Sequence, residues 1–168
     1  HPARGARLVK LLFATRNRGK QREVRRVLEG AGVDVVFPDE IGIAESPIEG
    51  TLETGDTFES NARRKAEYFA GLSGLPTVAD DSGLEVIALG GAPGVRSRRF
   101  AGASGTAAEV DAANNAELLR RLGGAPDQKR RARYRCVLVL FESATAVPRS
   151  FEGSCAGRIL EAPRGGGG

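Results

Sequence analysis

The 168-residue sequence has no methionine, one histidine (His1), two cysteines, and aromatic residues at only 5% of positions. A lone terminal histidine excludes a Ser-His-Asp relay. Cys136 and Cys155 lack metal-ligand spacing and sit in strand-like runs, which reads as two thiols in a reducing compartment rather than a disulfide. No apolar run nears the roughly 18 residues of a membrane span; the longest strong one is VLVLF, Val137 to Phe141. HPARGARLVK has basic residues but neither the apolar core nor the cleavage site of a signal peptide. These absences together lead to the expectation of a soluble, cytoplasmic protein without a membrane partner. Because the chain starts at His1 and stops at the glycines Gly165 to Gly168, which bury nothing, it is also expected to be cut short.

The remainder describes one α/β domain over residues 1–168, at 40% hydrophobic content long enough for a sizeable core. Lys+Arg outnumber Asp+Glu by 25 to 21, a net +4, and the pI is near 9.5. That balance suits an anionic partner, and equally an ordinary basic protein. Leu8 to Ala14 reads as a buried strand, TRNRGK as a polar turn, and Gln21 to Glu29 as a helix with Val24, Val27 and Leu28 inward. Val33 to Phe37 is a second strand, followed by a Pro/Gly/acid-rich connection from Pro38 to Gly55. Thr57 to Leu72 is helical, with Phe58, Ala62, Ala66 and Phe69 on one stripe. Thr77 to Asp80 and Leu84 to Leu89 are two short elements, and Ala107 to Leu122 is a third helix with Val110, Ala113, Leu118, Leu119 and Leu122 as its core side. Arg131, Arg133 and Arg135 alternate with Ala132, Tyr134 and Cys136 before VLVLF, as in a strand with one wet face. Ser150 to Glu152 and Gly157 to Glu161 complete a sheet of mixed strand directions.

Three stretches carry chemistry-bearing residues. TRNRGK puts Thr15, Asn17, Gly19 and Lys20 where a strand turns into a helix, so backbone N–H groups, the helix dipole and an ammonium converge on one anion. Without a Walker pattern, a phosphate cradle and a plain capped helix start both remain open. ETGDTFESNARRKA places Glu53 before the second helix, with Asn61 and Lys65 at i, i+4 on one of its edges; Arg63 and Arg64 read as surface. VADDSGLEV ends a strand on Asp80 and Asp81, one expected to face a cleft and the other to brace a turn. Glu53 and Asp81 could supply the one or two carboxylates that Mg²⁺ takes beside phosphate oxygens, while a purely turn-capping aspartate pair stays possible. KRRARYR, Lys129 to Arg135, reads as an exposed strand face; with Tyr134 its single aromatic, it offers no stacking platform, so nucleic acid is not an expected partner.

FATRNRGK, TFESNARRKA and ADDSGLEVIALGGAPGVRSRRFAG resemble, in order and at family spacing, the motifs of the inosine triphosphate pyrophosphatase family, over about Leu11 to Gly168. The resemblance implies an elongated α/β fold with a long mixed twisted sheet, helices around it, two lobes with an active-site cleft between them, and a homodimer. It implies Mg²⁺-dependent hydrolysis of ITP, dITP or XTP to the monophosphate and pyrophosphate. Carried over by position, Thr15, Arg16, Asn17, Arg18, Gly19, Lys20 and Lys65 would hold the triphosphate, and Ser82 would contact substrate. Glu53 and Asp81 would bind the metal, and Asp81 would activate water. Two departures stand out: Ser60 where many relatives are acidic, and an end at EAPRGGGG where relatives continue into segments that grip the purine. A nucleotide- or RNA-binding module without turnover and a Maf-type pyrophosphatase are the alternative readings.

Overall fold

In the computed structural model, which describes residues 8–165, a five-stranded mixed sheet is flanked by helices. Its strands are β1 (Val9–Phe13), β2 (Val33–Val36), β3 (Thr77–Val86), β4 (Arg131–Phe141) and β5 (Arg149–Arg158), in spatial order β2-β1-β3-β4-β5. β1 runs parallel to β2, with Leu12 opposite Val36, and to β3, with Leu12 opposite Thr77. Residues 142–148 are too few for a parallel crossover, so β4 and β5 run antiparallel. The helices are α1 (Arg18–Leu28), α2 (Phe58–Ser73) and α3 (Ala107–Leu122). Among the described residues no helix is long and apolar enough to cross a membrane. The terminal run of glycines falls largely outside the described residues.

The chain divides into two compact units: residues up to Gly55 with Glu59–Asp80 and Leu138–Phe151, and Asp56–Phe58 with Asp81–Val137 and the residues from Glu152 onward. In the first unit the period-two alternation of strands sorts the core onto two faces. Leu12, Ala14, Ala79, Val139 and Phe141 point to α2 and its stripe of Ala62, Ala66, Phe69 and Ala70. Phe13, Val78 and Leu138 point the other way, to Val24 and Leu28 of α1 and to Val35 and Phe37. The expected α2 stripe is therefore buried as read. Val27 is not: at 78% exposure it lies about 90° off the face that Gln21, Val24 and Leu28 turn inward.

In the second unit Leu118 and Leu122 of α3 pack with Val86, Ala132, Leu84, Leu89, Phe100 and Ile159. The exposed strand face expected at Lys129 to Arg135 holds for Arg131 and Arg133, while Arg135 is half-buried; Arg133 and Arg135 both reach Glu85. Arg130 is the exception. It belongs to a 3-10 turn, Asp127–Arg130, and is buried, donating to the carbonyls of Ile159 (2.8 Å) and Leu160 (2.7 Å). Two boundaries also differ from the sequence reading. β5 is one strand where two were expected; every residue in it is exposed, so no hydrophobic alternation marked it. β3 is likewise one ten-residue strand where a turn was expected after Asp81, and Gly83 lies inside it.

Gly83 is there because nothing larger fits. A Cβ would stand 2.4 Å from the Gly94 carbonyl oxygen, 2.6 Å from Ser97 Oγ and 3.0 Å from a ring carbon of Phe58. Ser97 fills the same space productively, accepting from the Leu84 amide (2.9 Å) and donating to Gly94 O (2.6 Å). Gly83→Ala should cost about 1–3 kcal/mol by overpacking, a fall of roughly 3–10 °C in Tm. Scanning calorimetry checks this; an unchanged Tm contradicts the close packing described.

Candidate active site

β1 delivers its C-terminal end to the start of α1, and the intervening residues are held in a turn of their own making. Asn17 is extended, and its side chain accepts from the Lys20 amide (2.9 Å), which caps the helix. The Asn17 amide donates to Thr15 Oγ1 (3.2 Å), and buried Gln21 donates from Nε2 to the Thr15 carbonyl (3.1 Å). Arg18 is exposed and donates to Gln21 Oε1 (3.3 Å). A Cβ at Gly19 would come 3.1 Å from Asn17 Oδ1, so the glycine keeps the capping amide in place. No acidic residue sits in the first turn of α1, which leaves the positive end of the helix dipole uncancelled from within. That is the electrostatic requirement for an anion at a helix start.

Two lysines of the same unit are ion-paired. Lys20, on α1, meets Asp80 of β3; the lysine side chain is 31% exposed and the carboxylate 4%. Strand parity explains the meeting, since Asp80 shares its face of β3 with Val78, which packs toward α1. Lys65, on α2, meets Glu53 of the segment ahead of that helix, with exposures of 15% and 37%. Each ammonium has three donors and no acceptor, so both are suited to carboxylate or phosphate oxygens.

The segment carrying Glu53 is tied down from two sides. Asn61 is fully buried on α2; its Oδ1 accepts from the Gly55 amide (2.7 Å) and from Arg64 (2.9 Å). A Cβ at Gly55 would collide with Arg64, Ser60 and Asn61. Asn61 thus clamps a loop, and half-buried Arg64, which reads from the sequence as surface, belongs to that clamp. Arg16 holds the other end. Its Nε and Nη2 each donate to a Glu49 oxygen at 2.7 Å, Nη2 also donates to the Ile43 carbonyl (3.1 Å), and Nη1 meets Asp39. The guanidinium lies 5.8 Å from the centre of the Phe69 ring. Hydrogen bonding to Glu49 above all raises its pKa further above the ordinary arginine value. Its guanidinium holds the 39–49 segment against the turn that carries Asn17.

Asp81 opens the second unit, and by the period of the strand it faces opposite to Asp80. It is half-buried, and its Oδ1 accepts from the Ser82 amide (3.0 Å). The Ser82 hydroxyl shares a hydrogen bond with the Tyr134 hydroxyl, 3.1 Å. No turn follows the two aspartates for either to brace, because the strand continues through Asp81 to Val86; Asp80 pairs with Lys20. The sequence reading missed this partner of Lys20, the Tyr134 contact and the Arg16 latch. An aspartate inside an otherwise apolar strand was the available signal for Asp80.

The chain is similar to known proteins over nearly all of its length. The Ham1 family model matches residues 11–168. A Lactobacillus acidophilus protein named dITP/XTP pyrophosphatase is 48% identical over 162 residues, covering 93% of this chain and 75% of the relative. A Vibrio cholerae protein of the same name is 44% identical, covering 95% of this chain and 76% of the relative. Among solved structures, a HAM1 protein from Coxiella burnetii superimposes with a TM-score of 0.80 at 34% identity, over 96% of this chain and 78% of that one. With residues 11–168 of the chain matched by the family model and the relatives matched over about three quarters of their length, the chain belongs to the Ham1 family.

Proposed function

We propose that the chain hydrolyses dITP, ITP and XTP between the α- and β-phosphates, releasing the nucleoside monophosphate and pyrophosphate. The observation that carries this reading is that two lysines already paired with carboxylates, Lys20 of α1 and Lys65 of α2, belong to one unit. The names of the relatives indicate the base. In this reading Thr15, Asn17, Arg18 and Gly19 shape the phosphate end of the site, and Lys20 and Lys65 neutralise the polyphosphate. Ser82 is a further substrate contact, oriented by Tyr134. A water oxygen bonds to phosphorus as the α–β bridging bond breaks; Asp81 takes the water proton and pyrophosphate leaves.

Mg²⁺ belongs to the same proposal, with Glu53 and Asp81 as its carboxylates. Among the described residues no three His, Cys, Asp or Glu side chains form a group able to hold a metal by themselves. A sparse oxygen donor set is what Mg²⁺ uses when it binds through one or two carboxylates plus water and substrate phosphate. When bound there, it would neutralise phosphate charge and acidify water. A cytoplasmic homodimer completes the reading; both Cys136 and Cys155 are thiols, as a reducing compartment keeps them.

The direct test is product analysis with dITP and XTP, where pyrophosphate without orthophosphate is the expected outcome. Nucleoside diphosphate and orthophosphate, or no turnover, would contradict the reading. Asp81→Asn should abolish turnover while shifting Tm by only a few degrees, because an amide neither takes the proton nor binds Mg²⁺ well. Activity kept within about threefold, a barrier change under ~0.7 kcal/mol, removes Asp81 from the chemistry. Lys20→Ala and Lys65→Ala should each weaken ITP binding by about 1.5–3 kcal/mol and affect IMP much less. Calorimetric titration with both nucleotides measures this; equal losses would place the lysines away from the β- and γ-phosphates.

A further inference from the structure

Lys20 and Lys65 are each already ion-paired, Lys20 with Asp80 and Lys65 with Glu53, and the two carboxylates differ in freedom. Asp80 lies in the middle of a strand with its side chain 4% exposed, so it cannot withdraw without disturbing β3. Glu53 sits on an irregular segment and is 37% exposed. We propose that Asp80 and Glu53 are built-in counter-ions that make this phosphate site reject bare polyphosphate and accept the cation complex. The inference rests on the assignment of Lys20 and Lys65 to the polyphosphate.

Three donors on an ammonium allow a carboxylate and a phosphate to share it. Charge opposes the sharing. A phosphate drawn to Lys20 approaches Asp80 as well, and two like charges in half-buried surroundings repel strongly. A bare polyanion therefore meets a site whose lysines are neutralised in advance, and binds only against that repulsion or by displacing the carboxylates. A polyphosphate carrying a divalent cation has less negative charge, and the same carboxylates attract its cation. Asp80 and Glu53 thus favour the complex over the free anion by acting on both. Pyrophosphate stripped of its cation is disfavoured by the same effect, and Lys65 regains Glu53 as the anion departs. Asp80 is the specificity-determining residue of the pair because it is fixed, while Glu53 can turn from Lys65 toward a cation.

Isothermal titration with inorganic tripolyphosphate in excess chelator tests this without turnover or metal. Asp80→Asn should bind the bare anion at least about tenfold tighter than the unaltered chain, since it removes the charge and keeps the shape. Glu53→Gln should also tighten binding, by less, because Glu53 is better solvated. Unchanged or weaker binding in a folded Asp80→Asn protein overturns the proposal. Should that variant fail to fold, Glu53→Gln decides in its place, on the same criterion. Lys20→Ala and Lys65→Ala run beside them separate the two claims. Weakened binding in the lysine variants with no gain in the carboxylate variants overturns the counter-ion inference alone. Unchanged binding in the lysine variants overturns the phosphate site and the inference together.

Discussion

A carboxylate buried inside a sheet demands a cation, and the ion pair between Asp80 and Lys20 answers that demand from the neighbouring helix. The pair couples β3 to the first turn of α1 and so fixes where the capped turn of Thr15, Asn17 and Gly19 stands. It also leaves an ammonium partly open to solvent beside a helix start free of acidic residues. The proposed site for polyanions would thereby be assembled from an interaction that the fold needs in any case.

The rest of the first unit supports this geometry by orienting backbone. Arg16 reaches from the turn to Glu49, Asp39 and the Ile43 carbonyl, and Asn61 reaches from α2 to Gly55. Between these fastenings runs the segment that carries Glu53. Removing either fastening would leave buried hydrogen-bonding groups without partners, which costs more than the bonds themselves contribute. Substitution at Arg16 or Asn61 would therefore act on the segment that carries Glu53.

Much of this was legible in the sequence where periodicity and burial coincide. The α2 stripe reads correctly because Ala62, Ala66 and Phe69 face one core, and the helix from Ala107 to Leu122 falls where its pattern places it. The turn from Thr15 to Lys20 could be placed because a polar stretch between an apolar strand and a helix is a local feature. What escaped depends on partners distant in the chain. Asp80 is 60 residues from Lys20, and Arg16 is 33 from Glu49, separations over which no local pattern operates. Gly83 was read as a turn because glycine usually breaks a strand, whereas here a close carbonyl and Ser97 require its missing side chain. β5 was split in two because a strand exposed along its whole length carries no alternation to read.

The central claim is that the charge which receives the polyphosphate is the charge that Asp80 and Glu53 now hold. A crystal structure with a non-hydrolysable dITP analogue bridged by nitrogen between the α- and β-phosphates tests it most directly. The account predicts phosphate oxygens within hydrogen-bond distance of Lys20 Nζ and Lys65 Nζ, with Glu53 turned away from Lys65. An analogue bound elsewhere, with the Lys20–Asp80 and Lys65–Glu53 pairs intact and no phosphate at either lysine, would contradict it.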